Sequence, residues 1–152
     1  MLNLKIDLKN ATEDTAELVS EALLENLIVV INNQNLTPEE EVRFCKMIGE
    51  VEDYASDQLV KEYTAPITVG DNILRVTAEK NEKGEEGLFG HQSALDWHAN
   101  KTSNPNREPL IWLYAVKGSA GSRTSWINMA MAWDALDDSL KDEVKEKQII
   151  CG

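Results

Sequence analysis

The chain has 152 residues, of which 42% are hydrophobic and 28% charged, the balance of a globular domain long enough to bury a core. Its net charge of −12 argues against nonspecific nucleic-acid binding, which needs clustered Lys and Arg, and serves first as a solubility device. The longest apolar run, Leu27 to Ile31, falls far short of the roughly 20 residues that span a bilayer. Met1-Leu2-Asn3-Leu4-Lys5 lacks the apolar core of a secretion signal, so a cytoplasmic setting without membrane or nucleic-acid partners is expected. Cys45 and Cys151 match no zinc or redox spacing, and Cys45 lies within a helical pattern as a small core residue.

Leu2, Leu4, Ile6 and Leu8 alternate with Asn3, Lys5 and Asp7, which predicts a half-buried strand. From Thr12 to Glu25 the spacing becomes helical, with Ala16, Val19, Leu23 and Leu24 on one face and Thr12 or Asp14 as the cap. Leu27 to Ile31 is a β-branched run and predicts a central strand, followed by a turn over 32–35. Thr37 is an N-cap, Pro38 takes the first helical position and Glu40 completes a capping box. Val42, Phe44, Cys45 and Ile48 form that helix's apolar face, and Gly49 ends it. The first fifty residues thus read β-α-β-α.

Residues 50–70 carry a mixed pattern, and Ile73 to Val76 predicts a strand. Residues 79–87 are charged and Gly-rich, the composition of a mobile surface loop that can act as a lid. No repeat or linker divides the sequence, so 1–152 reads as a single domain. Ala94 to Ala99 predicts a short strand running into a loop. Leu110 to Val116 predicts a buried strand, 117–122 a turn with Gly118 and Gly121, and Arg123 to Ile127 another strand. Asn128 can cap a helix through Leu136, and Asp137 or Asp138 a second through Lys147. Gln148 to Cys151 has the pattern of a strand just beginning.

The chemistry must centre on few groups, because the chain has two histidines, His91 and His98. In Leu95-Asp96-Trp97-His98-Ala99-Asn100, residues two apart would share a face of an extended chain, so Asp96, His98 and Asn100 could converge. An imidazole with oxygen donors suits a non-haem iron site, in which two His and one carboxylate leave coordination positions open. On spacing alone, a hydrogen-bonded structural His beside a Trp is the commoner arrangement. Asp96 bonded to backbone in a turn and Thr124 on the polar face of a strand are equally open readings, and His91 reads as a loop residue.

The order of the segments around His98 resembles the taurine dioxygenase-like branch of the Fe(II)/2-oxoglutarate-dependent oxygenases. Ala22 to Ile31, Leu36-Thr37-Pro38-Glu39-Glu40 and Ile48-Gly49-Glu50 look like that family's N-terminal helix, strand and helix. Leu95 to Asn100 resembles its Trp-His-x-Asp iron motif. Gly118 to Trp126, with Asn128 to Leu136 after it, resembles its Gly-rich turn, Thr and following helix. The resemblance implies an α+β fold with N-terminal helices and a double-stranded β-helix, the jelly roll, whose second half is missing here. It implies Fe(II) and 2-oxoglutarate as cofactors and hydroxylase-type oxidation of a small molecule, with succinate as coproduct. His98 matches the first iron ligand, and Thr124 matches the Thr whose hydroxyl meets the 2-oxoglutarate carboxylate, a donor that adds no competing charge.

Two departures from the family pattern shape the expectation. Asn100 stands where the family has a carboxylate, and Asp96 is the nearest acid that could replace it. The family's second iron-binding His and its 2-oxoglutarate Arg come later than Gly152, so the expected object is the N-terminal portion of an oxygenase domain. Covering its uncovered faces would fall to a complementing chain or a second copy. Two readings from other classes stand beside this one: a catalytically inactive binding or assembly module of the same lineage, and a cupin-like metal protein of other activity. Lys117 and Arg123 flank the Gly turn, where they could attract an anion or simply face solvent.

Overall fold

The computed structural model describes residues 1–55, 68–85, 87, 96–100, 110–117 and 123–148. They belong to two compact units, Met1–Asp96 and Trp97–Gly152.

In the first unit, β1 (Leu2–Leu4) pairs in parallel with β2 (Val29–Ile31), Leu2 opposite Val29 and Leu4 opposite Ile31. Parallel neighbours need a crossover connection, and α1 (Glu13–Asn26) supplies it. The alternation predicts a strand to Leu8, but the strand ends at Leu4 and a 3-10 turn forms over Leu8–Asn10. The cause is local competition for the backbone. The Asp7 carboxylate accepts the Lys9 N–H at 3.0 Å, while the Gln34 side chain accepts the Leu8 N–H at 2.9 Å and donates to the Ile6 and Asn32 carbonyls at 2.8 Å each. Leu8 is thereby turned fully into the core.

α1 opens at Thr12, whose N–H donates to the Thr15 hydroxyl at 3.2 Å. Its buried stripe is Ala16, Val19 and Ala22. Leu24, expected on that stripe, is 84% exposed. The helix ends on Leu27 in the left-handed region, φ 62°, with its N–H on the Leu23 carbonyl at 2.8 Å. That turn consumes the first two residues of the predicted strand, so β2 starts at Val29.

α2 (Pro38–Ile48) begins with the expected reciprocal cap: Thr37 Oγ1 accepts the Glu40 N–H at 3.3 Å, and Glu40 Oε2 accepts the Thr37 N–H at 2.9 Å. Glu39, Glu40 and Glu41 sit in the first turn, where negative charge meets the positive end of the helix dipole. The backbone N–H of Glu39 and the Thr37 hydroxyl hold the Glu39 carboxyl below its usual range. Gly49 ends the helix with extended backbone. α2 packs against α1, and Phe44 is fully buried. Arg43 reaches back to the carbonyls of Lys9 at 2.7 Å, Ala11 at 3.2 Å and Leu8 at 3.4 Å, tying α2 to the turn that launches α1.

Cys45 is half-buried, as a small core residue should be, and its burial with the nearby Glu41 charge pushes the thiol up from 9.0 to about 11. A raised folded value means that the thiol's contribution is complete below about pH 9 and is lost as pH climbs toward 11. Stability of the first unit should therefore fall across that window, and Cys45→Ala should flatten the fall. Urea midpoints by circular dichroism at stepped alkaline pH check this; an unchanged slope in the variant would contradict it.

The unit closes with a hairpin, β3 (Thr68–Val69) against β4 (Ile73–Leu74), turning at Gly70, φ 62°. It is anchored to the chain leaving α2 by Tyr54 N–H on the Asp71 carbonyl and Asn72 Nδ2 on the Glu52 carbonyl, both 2.7 Å. β4 is shorter than the strand predicted to Val76. Within 79–87, the expected mobile loop, 81–85 close on themselves around Asn81. Its carboxamide oxygen accepts the N–H groups of Lys83 at 3.0 Å and Glu85 at 2.9 Å, and its Nδ2 donates to Glu85 Oε2 at 2.7 Å.

In the second unit, α3 (Met129–Asp134) is capped by Asn128, whose side-chain oxygen accepts the Ala130 and Met131 N–H groups at 3.0 and 3.1 Å. α4 (Asp138–Val144) follows Asp137. Both stop short of the expected ends. The strands predicted over 96–99, 110–116 and 123–127 show no ladder among the described residues. The period of two still registers at 111–115: Trp112 and Tyr114 are half-buried while Ile111, Leu113 and Ala115 are exposed. A strand exists by pairing as much as by pattern. The predicted segments 94–95, 118–122 and 149–151 lie outside the described residues. Among the described residues the sheets are two pairs of short strands, and no helix is long and apolar enough to cross a membrane.

Candidate functional site

Asp96 to Asn100 follow no regular strand: the chain bends at Trp97 and turns at Asn100, and all five residues are exposed. Asp96 is the last residue of the first unit, whereas His98 and Asn100 belong to the second. Thr124 belongs to the second unit as well, exposed on the irregular segment that runs into the Asn128 cap. His98, Asn100 and Thr124 are thus open to solvent, on stretches outside helix and strand. Lys117 and Arg123 are likewise exposed. His91, Gly118 and Gly121 lie outside the described residues.

Among the described residues, no three His, Cys, Asp or Glu come together as a metal requires. One imidazole and one neutral amide make a weak donor set for a divalent cation, which favours carboxylate oxygen. Among the described residues these do not make up a full iron centre.

A concavity unforeseen from the sequence lies in the first unit. It is a groove of about 470 Å³ between α2 and the β3–β4 hairpin, with Val42, Arg43 and Lys46 on one wall and Val69, Asn72 and Ile73 on the other. Its walls are some thirty residues apart in the chain and meet through tertiary packing, which hydrophobic periodicity does not report. Arg43 and Gln34 were likewise illegible as organising residues, since each acts through backbone carbonyls far away in sequence.

Residues 3–151 match the family described as Taurine catabolism dioxygenase TauD, TfdA family. The chain belongs to this dioxygenase family. A relative, the (S)-phenoxypropionate/alpha-ketoglutarate-dioxygenase of Sphingobium herbicidovorans, is 30% identical over 129 residues. The match covers 84% of this chain and 41% of that protein, so the chain spans less than half of the relative's length. No solved structure matches the chain significantly. The expected membership of the taurine dioxygenase-like family is thereby shown.

Proposed function

We propose that this chain is part of an Fe(II)/2-oxoglutarate-dependent dioxygenase that hydroxylates a small molecule in the cytoplasm. The observation that carries the reading is the family match across 3–151, supported by a relative whose own name pairs phenoxypropionate with alpha-ketoglutarate. In this reading the fold is the family's jelly roll, with α1, β2 and α2 as its N-terminal elements in a single domain. His98 supplies imidazole to iron, and the oxygen donor two residues to either side, Asn100 or Asp96, takes the place of the family's acid. Thr124 donates its hydroxyl to a carboxylate of 2-oxoglutarate. The substrate is a small organic molecule, in keeping with the relative's acid, and the chain's excess of negative charge leaves cationic recognition to a few local groups.

The part of Thr124 is open to test. Equilibrium dialysis of 2-oxoglutarate with Fe(II) present should show saturable binding, weakened about 10- to 100-fold by Thr124→Val, the scale of one hydrogen bond to a charged group. Binding that survives Thr124→Val unchanged would remove Thr124 from the site.

Two observations favour a second reading, an oxygenase-like binding or assembly module without turnover: Asn100 replaces the acid, and no three metal-binding side chains gather among the described residues. Fe(II) affinity separates the two, because the module has no need to bind the metal.

A further inference from the structure

We draw no further inference here: the strongest candidate, the groove of about 470 Å³ between α2 and the β3–β4 hairpin, sets Glu39 and Asp71 beside Arg43 and Lys46 on its lining and so selects no ligand charge, and nothing in the structure shows what covers it.

Discussion

Phe44→Ala is expected to cost the first unit about 3–5 kcal/mol, the usual price of deleting a buried aromatic side chain. Phe44 is fully enclosed where α2 meets α1, in a unit whose other buried hydrophobics are mostly small, so little around it can collapse into the void. Marginal domains hold roughly 5–15 kcal/mol in all, so the variant should be largely destabilised in mild urea. Leu24→Ala is the matched control, since Leu24 is 84% exposed and its loss should stay within about 0.5 kcal/mol. Far-UV circular dichroism is the right probe, because every tryptophan lies in the other unit. Equal midpoints for the two variants would show that α2 does not seat its Phe in the core.

The contrast between Phe44 and Leu24 also shows where sequence pattern succeeds. The α2 start was legible in full because a capping box is local chemistry: Thr37, Pro38 and Glu40 carry their own partners within one turn. The Asn128 cap was legible for the same reason. Alternation alone overextends β1, because its end is decided by Gln34, a residue 26 positions from Leu8, and no periodicity reports that bond. The strands read over 110–116 and 123–127 depend on neighbours that pattern cannot supply, so alternation survives there without a ladder. The candidate loop at 79–87 looked mobile by composition, yet one Asn side chain closes its tip. At the site, residue type and order pointed to the family, which the match over 3–151 shows, whereas the coordination assigned to His98, Asn100 and Asp96 rests on that order alone.

In the proposed reading, His98 carries the largest functional effect. If it is an iron ligand, His98→Ala removes the best donor in its segment, and the loss should exceed the 10- to 100-fold that changes merely beside a metal ligand produce. Asn100→Asp should act in the opposite direction, since a carboxylate is the harder and charged donor. Asp96→Ala discriminates further: a loss of affinity would place the substitute acid before the histidine, and no change would leave the position to Asn100.

Anaerobic equilibrium dialysis of Fe(II) against the full chain and its His98→Ala variant tests the central reading most directly. The dioxygenase reading predicts saturable binding by the parent chain that falls more than about 100-fold in His98→Ala and rises in Asn100→Asp. Fe(II) binding that is absent from the parent chain, or equal in parent and His98→Ala, would contradict it.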